Sequence, residues 1–141
     1  GDLVPYIQSI ENKKIDFHGV VTNDKIVEAE KKATLLVNPR FTSEEYTKYS
    51  FPSKNMEYMV SGTPVLTTKL PGMPEEYYNY VYLIEDETQR GMQKCLETLL
   101  GLNEDELDKK GKKAREFVLS QKNNVNQTNK IISFLEVNKG E

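Results

Sequence analysis

Three short runs constrain the fold more than anything else in this 141-residue chain: "TLLVN" (34–38), "PVLTT" (64–68) and "VYLIE" (81–85). Each is too short for a helix, and none shows the alternation of a strand with one wet face. Such runs are the pattern of strands buried on both sides. An earlier segment, "KIDFHG" (14–19), does alternate, with Ile15 and Phe17 between polar neighbours before Gly19. It reads as a half-buried strand at a sheet edge.

Helical spacing fills the intervals. The opening "GDLVPYIQSI" places Leu3, Ile7 and Ile10 at helical steps. "TNDKIVEAEKKA" (22–33) offers Asn23 as an N-cap and sets Ile26, Ala29 and Ala33 on one face. The spacing predicts another helix over about 52–61, with Pro52 in its first turn and Gly62 at its C-terminal cap. Residues 39–49 and the turn-rich 70–79 read as loops. From residue 86 onward the chain is helical, in three amphipathic stretches. The first carries Met92, Cys95, Leu96, Leu99 and Leu100, the second Leu107, Ala114, Phe117 and Val118, the third Val125, Ile132 and Leu135. Strands alternating with helices imply right-handed βαβ units and a mostly parallel, Rossmann-like α/β sheet.

Composition narrows the function classes. With 37% hydrophobic and 29% charged residues the chain is globular, not disordered. No apolar run approaches the ~20 residues that span a bilayer, and no signal-peptide pattern opens the sequence. A net charge of −3 supplies no basic field for nucleic acid. Cys95 is the only cysteine, which precludes an intrachain disulfide and suits a reducing cytoplasm. The expectation is one domain over 1–141, with 86–141 its helical C-terminal segment. The absence of a starting Met and the immediate entry into a helix read as a piece of a longer protein.

The chemistry concentrates in "SFPSKNMEYMVSGTPVL" (50–66), which puts Lys54 in the first turn of a helix. That end of a helix is already partly positive, so a cation there is locally unfavourable. A third, anionic party would resolve the conflict. Ser53, Lys54 and Glu57 share a flank by their three- and four-residue spacing. The first-turn N–H groups, the Ser53 hydroxyl and the Lys54 ammonium suit a diphosphate. One turn on, Glu57 suits a pair of vicinal hydroxyls, so the flank is matched to a nucleotide. Lys54 and Glu57 equally make an ordinary surface ion pair, which from pattern alone is the more economical reading.

"SFPSKNMEYMVSGTPVLTTKLPGMPEEY", together with the opening "GD", "KIDFHGVV" and "ATLLVNPR", resembles the donor-binding C-terminal domain of retaining GT-B glycosyltransferases. These belong to the large group 1 family that includes bacterial capsule and lipopolysaccharide enzymes. The likeness runs to about Glu85 and rests on a P-x-K-x-x-E-Y-x-x-x-G-x-P-V core, met at Pro52, Lys54, Glu57, Tyr58, Gly62, Pro64 and Val65. It implies that Glu57 binds the ribose of a nucleoside-diphosphate sugar, that Ser53, Lys54 and Asn55 meet the diphosphate, and that Val20 and Val21 border the base. It implies no cofactor and no metal, the sugar nucleotide being substrate, and an acceptor-binding N-terminal domain elsewhere. Family members commonly carry a second glutamate eight positions before the ribose-binding one; here that position is Tyr49, with Glu44 and Glu45 off register. The resemblance leaves the catalytic residues unassigned, with Arg40 a candidate to assist the leaving diphosphate. It further implies work in the cytoplasm, with room for peripheral attachment at the inner face of a membrane.

Other features read as structural. His18 ends a strand, Cys95 lies on an apolar helix face, and Lys109, Lys110, Lys112, Lys113 and Arg115 are balanced by Glu104, Asp105, Glu106 and Asp108. Asn126-Gln127-Thr128 matches a glycosylation sequon without meaning in a cytoplasm. A GT-B-type epimerase would share the donor site. A receiver-like interaction module would need an acidic cluster at a strand end, and no aspartate closes "TLLVN". Finally, "KIDFHG" is expected to pack beside "TLLVN" in a sheet of about four strands, or the exposed edge of "TLLVN" to pair with a second copy.

Overall fold

The computed structural model describes residues 3–10, 14–49 and 51–137; Gly1 and Asp2 lie outside them. A short helix α1 (Val4–Ser9) and a longer α2 (Asn23–Lys32) precede the sheet. Strand β1 (Leu36–Asn38) leads through a loop with one 3₁₀ turn (Glu45–Lys48) to helix α3 (Ser53–Ser61), then to β2 (Val65–Thr68). A second 3₁₀ turn (Glu75–Tyr80) connects to β3 (Tyr82–Ile84). Helices α4 (Gln89–Leu100), α5 (Glu104–Gln121) and α6 (Asn124–Val137) complete the chain.

The strands form one parallel sheet in the order β1-β2-β3, with Leu36 opposite Val65 and Leu66 opposite Tyr82. The fold class is therefore the expected Rossmann-like α/β arrangement with a helical C-terminus. Central β2 is buried along its whole length, and its alternation feeds two cores. Val65 joins Met59, Leu70, Met73, Tyr77, Val81, Ala114, Phe117 and Val118 beneath α3 and α5. Leu66, on the other face, joins Ile84 and Leu99 beneath α4. Each of the larger aliphatic and phenylalanine side chains among these contributes about 1.5–3 kcal/mol on burial.

Two glycines shape the packing around α3. Gly62 ends the helix with φ of 85°, the left-handed conformation that its place in the sequence predicts. Gly111 of α5 comes so close to this cap that a Cβ there would lie 2.1 Å from the Gly62 carbonyl oxygen. Beyond it, Lys122 pairs with Glu76 and lies over the rings of Tyr77 and Phe117, 5.2 and 5.3 Å from their centroids. Tyr80 stacks on Phe117 at 4.1 Å.

Four expectations are corrected. Residues 14–19 form no strand: Ile15 and Phe17 are 49% and 40% exposed, and among the described residues the sheet has three strands, not four. Alternation specifies a strand only where a neighbour offers its ladder and a layer covers the apolar face. Here Gly19, at φ of 64°, turns the chain into α2 instead. Strand β1, expected to be buried on both faces, leaves Val37 exposed because it is the edge of this sheet. On α2 the inward flank is Ile26, Val27 and Glu30, with Ala29 exposed, because α3 packs along that flank. The third amphipathic stretch does form α6, but Val125, Ile132 and Leu135 remain exposed.

Candidate functional site

The carboxyl ends of β1 and β2 are tied to the first turn of α3 by a closed ring of side chains. Asn38 donates its Nδ2 to Asn55 Oδ1 at 2.7 Å, and Asn55 donates its Nδ2 to Thr67 Oγ1 at 3.0 Å. Thr67 in turn donates its hydroxyl to the Asn38 carbonyl at 3.0 Å. Asn55 is 1% exposed, and its backbone N–H donates to the Pro52 carbonyl. The ring holds the start of α3 over the strand ends, where parallel sheets present ligand sites. Nearby, the Arg40 N–H donates to the Thr68 hydroxyl at 3.0 Å, and the Thr42 N–H donates to the Glu87 carboxylate at 3.0 Å. These bonds fix the loop that leaves β1.

On the solvent side of that turn stand Ser53, Lys54 and Glu57. Pro52 is the N-cap and supplies no side-chain oxygen to the turn. The Lys54 ammonium donates to Glu57 Oε2 at 2.8 Å, with the two side chains 44% and 37% exposed. The hydrogen bond to Glu57 raises the Lys54 pKa, keeping the cation charged. A pair this exposed adds little stability, so both groups are available at small cost to an incoming ligand.

Beside them lies a group that the sequence reading missed. Glu30, in the last turn of α2, is 5% exposed, and its Oε1 has no hydrogen-bond partner. Burial raises its pKa, the Glu57 charge raises it further, and Lys54 opposes both. A signal was available: Glu30 follows Ile26 by four residues, so it sits on the apolar flank where a glutamate is out of place.

The remaining sequence-predicted residues are placed as follows. Asn55 faces the core, its carboxamide engaged in the ring just described. Val20 is fully exposed and Val21 half-buried, both ahead of α2. Tyr49 is exposed at the end of the 3₁₀ turn, and Arg40 is half-buried at the strand end. His18 pairs with Asp16 at 3.3 Å on an exposed segment, and Cys95 is half-buried against the Leu83 carbonyl. Among the described residues no helix is long and apolar enough to cross a membrane.

The fold and this geometry define a class: an α/β unit with a candidate anion- and hydroxyl-binding flank where a helix N-terminus meets the ends of parallel strands. The comparison with known families gives the particular one. Residues 2–101 match the glycosyl transferases group 1 family, and the chain belongs to it. The protein is thus of glycosyltransferase type, and the receiver-like module is not where it falls. No curated protein matches the chain, and no solved structure does. The family match stops at α4, so α5, which packs on α3 through Gly111, lies beyond it.

Proposed function

We propose that the chain is the donor-binding, C-terminal part of a retaining GT-B hexosyltransferase. It would hold a nucleoside-diphosphate sugar whose sugar passes to an acceptor hydroxyl in capsule or lipopolysaccharide synthesis, on the cytoplasmic side of the membrane. The single observation that carries this reading is the Lys54–Glu57 pair at the uncapped start of α3, in a member of this family. On binding, Lys54 turns from Glu57 to the diphosphate, joined by the helix N-terminus and the Ser53 hydroxyl. Glu57, released, accepts from two ribose hydroxyls. Val20 and Val21 border the base. The positive charge at the diphosphate stabilises the leaving group as the glycosidic bond breaks. No resident metal or cofactor is part of this proposal. The acceptor belongs to an N-terminal domain.

Calorimetry with nucleosides and nucleoside diphosphates tests the assignment. Lys54→Met is expected to weaken diphosphate binding far more than nucleoside binding. Glu57→Ala is expected to cost about 2–4 kcal/mol toward both, through loss of charge-assisted hydrogen bonds. Equal losses for nucleoside and diphosphate in Lys54→Met would remove Lys54 from the phosphate site. The chain alone is expected to bind donor weakly and to transfer no sugar.

A further inference from the structure

The buried carboxyl of Glu30 has no role in the Lys54–Glu57 site, and it is expensive. A sealed oxygen without a partner forfeits its hydrogen bond to water, and a leucine would pack there at less cost. The backbone at this position is held firmly, whatever the side chain. The Thr63 hydroxyl donates to the Glu30 carbonyl at 2.6 Å, locking the end of α2 to the lead-in of β2. From α3, the helix packed on this flank, Lys54 and Glu57 act on Glu30, with Tyr58 acting on Lys54. Lys31 and Lys32, the next residues of α2, are exposed. The last turn of a helix is partly negative, so the backbone also disfavours a carboxylate there.

We propose that Glu30 is a positioning residue of the donor site, acting through Lys54. Neutral, it leaves the ammonium to Glu57 and to an incoming diphosphate. Ionised, it draws Lys54 inward and adds a second negative charge beside an anionic ligand. The site therefore holds diphosphate best with a proton on Glu30 and loosens as that proton leaves. Burial and the neighbouring Glu57 both favour the protonated form. This inference rests on the reading of Lys54 and Glu57 as a nucleoside-diphosphate site.

Two measurements test it on the whole chain. The first is carboxyl-carbon NMR of the ligand-free protein. Glu30 is expected to titrate above the ordinary glutamate value of about 4.3, with an inflection at the same pH in the Glu57 signal, absent from E30Q. The second is calorimetry with UDP, GDP and ADP from pH 5 to 8, read as the ratio of wild-type to E30Q affinity. The ratio cancels the ionisation of the ligand's own phosphate. It is expected to fall about three- to tenfold as Glu30 ionises, the size of a charge–charge interaction at a half-exposed site. An ordinary Glu30 titration with no echo at Glu57 overturns the proposal on wild-type protein alone. A constant affinity ratio overturns it while leaving the nucleotide site standing. Absence of binding by all three nucleotides at every pH overturns both.

Discussion

Replacing Asn55 by alanine separates the two roles its position allows, brace or phosphate ligand. Its carboxamide makes two neutral hydrogen bonds, to Asn38 and Thr67, and a weaker one to Met73 Sδ at 3.8 Å, in a site 1% exposed. At about 0.5–1.5 kcal/mol each the first two amount to roughly 2 kcal/mol. Thr67 keeps its bond to the Asn38 carbonyl, and half-buried Asn38 regains water, so neither partner is fully orphaned. The small void left behind adds about 1 kcal/mol. The expected loss is therefore about 3 kcal/mol, on the order of 10 °C in Tm for a chain of this length. Urea titration followed by circular dichroism, together with calorimetry of nucleoside diphosphate binding, reads both roles at once. Lost stability with comparable diphosphate affinity at low temperature is the signature of a brace. Unchanged stability with lost diphosphate affinity would refute the argument and return Asn55 to the phosphate.

Three further perturbations follow from the packing. Gly111→Ala forces a Cβ to within 2.1 Å of the Gly62 carbonyl oxygen and 2.9 Å of the Pro64 nitrogen, both backbone atoms. It should destabilise the chain by about 3 kcal/mol in a urea titration, and wild-type stability would mean that α5 does not approach the cap of α3. Lys122→Met keeps the stem but loses the ion pair to Glu76 and the cation over Tyr77 and Phe117. A loss of about 1 kcal/mol is expected, and a double-mutant cycle with Glu76→Gln assigns the share of the ion pair. Glu30, its pKa raised mainly by burial, holds its proton to a higher pH in the folded chain than in the unfolded one. Its stabilising contribution is full below the ordinary glutamate value and is lost as pH rises through its folded-state titration. The Tm of E30Q relative to wild type should therefore grow with pH, and a pH-independent difference would show that Glu30 titrates normally.

The local chemistry of the chain by itself determines the α/β class. Val65 and Leu66 are consecutive apolar residues that face opposite sides of a strand, and the threonines after them carry no charge, so β2 is suited to cover on both sides. Pro52 and Gly62 bracketed α3 because each can adopt a backbone state the helix interior disfavours. The proline–lysine–glutamate–glycine spacing of that helix also marked the candidate site. What the chain's local pattern left open was every question of partnership. "KIDFHG" alternates like a strand, yet strand pairing needs a neighbour that only the tertiary arrangement supplies. "TLLVN" reads as buried, yet its burial depends on whether it is central or an edge. By sequence Asn55 falls in the turn proposed to meet a diphosphate, but helix rotation aims its carboxamide at Asn38 and Thr67. Glu30 shows in the sequence only as a charge four residues after Ile26, and the approach of α3 makes it a buried carboxyl beside Lys54 and Glu57. Propensity and spacing act within a few residues along the chain, whereas burial and charge coupling arise between segments that only the packed fold brings together.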